Sequence, residues 1–168
     1  MRKVLNGLYT GSAWLAGISM VVVLLMVLLT IISRFFGFAA PGTDAYAGYA
    51  MAGAGFMALA STLKAGEHIR VTLILGMLKG AAHKALEMTA LGIATVLAGF
   101  LAFYASRLVW QSWEIEDISV GIDATPLWIP QIFMALGTLI FFIAFCDEFI
   151  LELLGKRQAN HTQDAHHE

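Results

Sequence analysis

The chain has 168 residues, 59% of them hydrophobic and only 13% charged, with a formal charge of −2 and a mean hydropathy of +0.76. Ordinary soluble domains carry about 25% charged residues, so this composition excludes a disordered chain and argues against a soluble globular domain. A single cysteine, Cys146, excludes an intrachain disulfide and any metal site built on thiolates of this chain alone.

The charged residues divide the chain. Thirty uncharged residues lie between Lys3 and Arg34, 19 between Asp44 and Lys64, 19 between Glu87 and Arg107, and 23 between Asp123 and Asp147. About 20 apolar residues are needed for a helix to cross the hydrocarbon core. Four spans are therefore expected, at 10–33, 44–63, 86–108 and 126–147. Span one contains "VVVLLMVLLTII", which does not alternate as a barrel strand must. It is helical, because lipid offers backbone amides no other partner. Its apolar core exceeds the roughly 7–15 residues of a signal-peptide core, so it is read as retained. "APGTD" (40–44) then closes one element with Pro-Gly and offers Thr43 or Asp44 as the cap of the next.

Span two is "DAYAGYAMAGAGFMALAST". Ala50, Ala54 and Ala58 recur every four residues, as do Gly48 and Ala52, and small residues on one face let another helix approach closely. That helix lies either within the chain or on a separate membrane subunit. After it comes "KAGEHIRVTLILGMLKG" (64–80), whose uncharged run, Val71 to Leu78, would be about 12 Å long as a helix and cannot cross. Its basic flanks suit a short helix lying along the inner interface over residues 67–82, with Gly66 ending span two. Span three leads to an acidic segment holding Glu114, Glu116, Asp117 and Asp123, where Trp110, Trp113 and Trp128 gather as interface anchors. "ATPLWIP" offers Thr125 as a cap and Pro126 at the first position of span four. The fold class expected is an all-α integral membrane protein: four transmembrane helices in one domain, 1–155, with a short cytoplasmic interfacial helix between spans two and three. The polar tail 156–168 is read as disordered.

With the N-terminus in the cytoplasm, the inner segments hold Arg2, Lys3, Lys64, Arg70, Lys79, Lys84, Lys156 and Arg157, and the outer segments only Arg34 and Arg107. The positive-inside rule then places both termini in the cytoplasm. No span carries a charge or a histidine in its central turns, although pumps and ion-coupled carriers need ionisable groups at depth and haem anchors need histidines there. No catalytic residue, cofactor site, metal site or nucleic-acid-binding feature is expected. Structural phospholipids are the small molecules this chain has room for.

Two stretches resemble a known family. "LKAGEHIRVTLIL", with Gly66, His68, Ile69 and Val71, and "DISVGIDATPLWIPQIFMALGTLIFF", with Pro126, Trp128, Pro130 and Gly137, are similar to the signatures of the small, DctQ-type membrane subunit of tripartite ATP-independent periplasmic (TRAP) transporters. The likeness covers most of residues 8 to 155. One departure is Thr72, where many relatives carry an acidic residue. The resemblance implies a scaffold subunit in a bacterial inner membrane. It would support a large elevator-type subunit in sodium-coupled import of an organic acid, delivered by a periplasmic solute-binding protein that docks transiently. It would not itself bind substrate. Candidate contacts with that partner or with membrane lipids are Gly66, His68, Arg70, Lys79, Trp128, Pro130 and Glu148. Lys79 and Lys84 also serve as orientation charges, and Asp147, Glu148 and Glu152 read as an exposed extension of span four. The competing readings are a stand-alone four-helix exporter, which would need an intramembrane carboxylate, and a redox-complex anchor, which would need histidines in the spans.

Overall fold

The computed structural model describes residues 2–64, 81–121 and 124–154, with side chains from residue 5 in the first helix and from residue 84 in the third. Four α-helices make up nearly all of it: α1 (Arg2–Phe36), α2 (Thr43–Lys64), α3 (Ala81–Glu114) and α4 (Trp128–Leu153). No strand occurs among the described residues, and the one β-bridge joins Ile118 to Pro126. The interfacial segment at 67–82 falls almost entirely outside the described residues, as does the tail.

The helices run past the expected spans. The 35 residues of α1 and the 34 of α3 correspond to about 50 Å each, against a hydrocarbon core of about 30 Å. Charged residues bound the lipid-compatible stretch but need not end a helix. Lys84, Glu87 and Arg107 all lie within α3, because their side chains can reach water from the interface while the backbone keeps its own hydrogen bonds.

Actual helix ends are set by local chemistry. Gly37 adopts φ +71° after α1, and the Phe38 amide donates to the Ser33 carbonyl at 3.1 Å. This six-residue closure is the Schellman arrangement, which places glycine where a side chain would be strained. Gly42, at φ +83°, turns the chain into α2, and its carbonyl accepts the Tyr46 amide. The expected cap at Thr43 takes another form: its hydroxyl donates to the Ala40 carbonyl at 3.2 Å and lies 2.8 Å from the Thr30 hydroxyl of α1. Thr125 is likewise drawn away from capping, and α4 starts at Trp128, two residues later than expected, with Leu127 as a cap that makes no side-chain bond. Pro130 then occupies the third helical position, where an amide hydrogen would have had no intrahelical partner.

The helices form an open row rather than a closed bundle. α2 lies between α1 and α4, α1 touches α4 over a short stretch, and α3 packs on the far side of α4, meeting neither α1 nor α2 among the described residues. The core follows that order. Met57 and Ala60 of α2, with Thr138 and Ala144 of α4, are fully enclosed, whereas α1 and α3 leave long apolar faces open. A Cβ on Gly137 would stand 2.5 Å from the Phe56 carbonyl group, so this glycine lets α4 press against the backbone of α2. Ala54 is buried and Gly48, Ala52 and Gly55 are exposed. The small residues of α2 therefore serve internal packing on one face and lie open on another.

Most serine and threonine hydroxyls inside the row bond to their own helices, whereas the buried Tyr9 hydroxyl has no partner among the described residues. Ser12, Ser19, Thr30, Thr95, Ser106 and Thr138 each donate to a carbonyl three or four residues earlier. Such back-bonding hides a polar group within an apolar helix at little cost.

Candidate functional site

Two polar regions stand out, one at each end of the row. At the first, Lys64 closes α2, where a cation complements the helix dipole. Its ammonium donates to Asp147 at 2.6 Å and to Glu148 at 3.1 Å, both on α4. It also lies 5.2 Å from the ring centre of Tyr9 on α1, within reach of the ring's negative face. One lysine thus ties three helices together. All three charged side chains are less than a quarter exposed. Burial alone would push the Lys64 ammonium down. The Asp147 hydrogen bond and the pull of Glu148 outweigh it, holding Lys64 above the usual 10.5.

The expected exposed extension of span four is corrected here. Asp147 and Glu148 are half-buried and Glu152 is 7% exposed, because α4 continues to Leu153 against its neighbours instead of leaving the row. The pairing was within reach of the sequence. Lys64 and Asp147 end two spans at the same predicted depth and carry opposite charges.

At the opposite end the α3–α4 connection folds back on itself. The Ser119 amide donates to Thr125 and the Leu127 amide to Asp117, both at 2.9 Å, with Glu116 at φ +50° and Ala124 at φ +45° turning the backbone. The Thr125 hydroxyl donates to Tyr46 of α2 at 3.3 Å. Trp113 meets Trp128 edge to face, ring centres 4.9 Å apart. Together with Trp110, Glu114, Glu116, Ile118 and Pro126 they line a cleft of about 610 Å³. The three tryptophans expected to gather at one interface are brought together here.

Of the candidate contact residues, Trp128 lines this cleft and Pro130 stands one half-turn deeper in α4, while Glu148 belongs to the lysine cluster at the other end. Gly66, His68, Arg70 and Lys79 lie outside the described residues. No group of three or more potential metal ligands occurs among the described residues.

α1, α3 and α4 are each long and apolar enough to cross a membrane. Together with the all-helical row and charges kept to the helix ends, they define a multi-helix integral membrane protein. Residues 23–155 match the family described as tripartite ATP-independent periplasmic transporters, DctQ component. The chain belongs to this DctQ family, a family of transporter components and not of enzymes. A comparison with curated proteins gives no match.

Proposed function

We propose that the chain is the fixed, scaffolding subunit of a sodium-coupled TRAP importer for an organic acid. In this reading it braces a large elevator-type membrane subunit in the bacterial inner membrane, while a periplasmic solute-binding protein delivers the substrate. α2, whose 22 residues are about 33 Å long, is a fourth crossing carried between α1 and α4. Both termini face the cytoplasm, which puts the Lys64 cluster at the inner end and the tryptophan cleft at the outer end. Trp128, Pro130 and Glu148 remain candidate contacts with the partner or with lipid, as do Gly66, His68, Arg70 and Lys79.

One observation carries this reading. The central turns of the spans hold no charged residue and no histidine, Thr30, Thr95 and Thr138 bond to carbonyls of their own helices, and the two buried oxygens without a partner among the described residues, on Tyr9 and Gln131, stand towards the helix ends. An ion or proton path needs ionisable or open polar groups at depth, whereas a brace needs apolar area and close packing. The open faces of α1 and α3 and the uncovered Gly48, Ala52 and Gly55 of α2 supply such area. An exporter or a haem anchor lacks its required residue here.

The test is uptake in vesicles holding the large subunit, with binding protein, substrate and a sodium gradient supplied. Omitting this chain is expected to abolish transport without preventing insertion of the large subunit. Full sodium-dependent uptake by the large subunit alone would overturn the reading.

A further inference from the structure

One face of α3 carries an ordered series of groups. Val96, Phe100, Phe103, Arg107, Trp110 and Glu114 follow one another at spacings of three or four residues, which places them along one side of the helix. All six are exposed, Phe103 by 62% and Trp110 by 70%. From the membrane centre outward, the face therefore reads apolar, cationic, aromatic, anionic. About 10 Å of helix separates Arg107 from Glu114. Among the described residues Arg107, Glu114 and Glu116 form no ion pair.

We propose that this face and the cleft above it bind one phospholipid with a primary-amine headgroup, of the phosphatidylethanolamine type. The series matches such a lipid from tail to head. Its acyl chains lie on Val96, Phe100 and Phe103. Its phosphate meets the Arg107 guanidinium, whose fork of donors suits phosphate oxygens. Its ammonium enters the cleft, where indole faces attract a cation and the Glu114 and Glu116 carboxylates accept its hydrogens. That last step selects the headgroup. A primary ammonium has three donors, a quaternary choline has none, and a glycerol headgroup has no positive charge. The carboxylates repel a purely anionic lipid. A belt of interfacial tryptophans by itself would accept any of these headgroups. The paired carboxylates above a lone arginine make the site selective.

The site rests on the membrane reading of α3 but not on a role in transport. The full chain, in the complex in which it purifies, is stripped of lipid. It is then titrated with phosphatidylethanolamine, phosphatidylcholine or phosphatidylglycerol of matched acyl chains, and bound lipid is counted by native mass spectrometry. One phosphatidylethanolamine per chain is expected, held about tenfold more tightly than the others, the order of one charge-assisted hydrogen bond. Glu114→Gln with Glu116→Gln is expected to erase that preference. Arg107→Gln is expected to weaken all three lipids alike. Both variants place neutral side chains at exposed positions, and unchanged circular dichroism checks their folding.

Equal retention of the three lipids by the unaltered chain would overturn the proposal. So would a preference that survives the double substitution, or displacement of the lipid by an equal concentration of soluble phosphoethanolamine. If the double variant keeps its lipid preference but loses affinity for the solute-binding protein, the cleft is a protein-docking patch and the lipid assignment falls. Loss of uptake with lipid selectivity intact bears only on the scaffold role.

Discussion

At one end of the helix row, Lys64 sits between Asp147 and Glu148, 2.6 and 3.1 Å away, with the Tyr9 ring beneath it. At the other, Arg107, Glu114 and Glu116 stand on an exposed helix face and cleft with no ion-pair partner among the described residues. The first group spends its charge inside the molecule, holding helices together. The second leaves charge available to something outside. A membrane protein without embedded charges can still bind specifically, provided its recognition groups stay at the interface, where keeping them ionised is cheap.

The crossing that holds the two ends in register should show the largest effect. Gly137→Leu drives a side chain into the Phe56 carbonyl group, against which even a Cβ would stand at 2.5 Å. α4 must lift from α2, at a cost of about 3 kcal/mol or more. A large fall in the thermal midpoint of the purified chain is expected, together with loss of both the lysine cluster and the Tyr46–Thr125 contact. Gly99→Ala is the milder control. Its Cβ would meet only the Phe142 ring edge, at 3.0 Å, and a ring can tilt.

Next comes the lysine itself. Lys64→Met leaves Asp147 and Glu148 half-buried without their shared cation, a loss of about 1–3 kcal/mol. Thermal unfolding in detergent checks this, and Lys64→Met with Asp147→Asn should recover part of the loss. If the single substitution proved silent, the cluster would be ordinary surface charge and the contrast between the two ends would vanish. At the opposite end, Tyr46→Phe removes one exposed 3.3 Å hydrogen bond and should cost about 0.5 kcal/mol or less.

How much of this was legible depends on the kind of information. The charge-free gaps located all four helices, three of which are long and apolar enough to cross a membrane, because burying a charge in lipid is costly enough to leave its mark on the sequence. They misplaced the ends. α4 begins at Trp128 and not Pro126, since Thr125 bonds Tyr46, 79 residues away, instead of capping its own helix. The open order of the row was not legible either. It depends on which face of α2 meets which neighbour, and Gly48, Gly53, Ala54 and Gly55 look alike as small residues, although two are buried and two exposed. The tryptophan cleft was half-visible. The sequence places its indoles and carboxylates in one interface segment, but only the fold-back at Ile118 and Pro126 puts them around one space.

The smallest effect expected is an absence of response, and it still separates the two ends. Lys64 is held above its usual value of 10.5 by its carboxylate partners. A cation whose folded pKa is raised contributes stability in full below the unfolded value, and loses it only as pH climbs through the folded one. Between about pH 6 and 8 the lysine therefore stays charged in both the folded and unfolded chain, and its contribution should not change. Only strongly alkaline conditions, beyond 10.5, should weaken the tie between α2 and α4. Thermal midpoints measured across both ranges check this by comparing the unaltered chain with Lys64→Met. The gap between the two should hold steady near neutrality and close in alkali. A gap that widened as pH rose would show that the ammonium is destabilised where it sits, and that the Lys64 end, like the Arg107 end, holds charge in want of a partner.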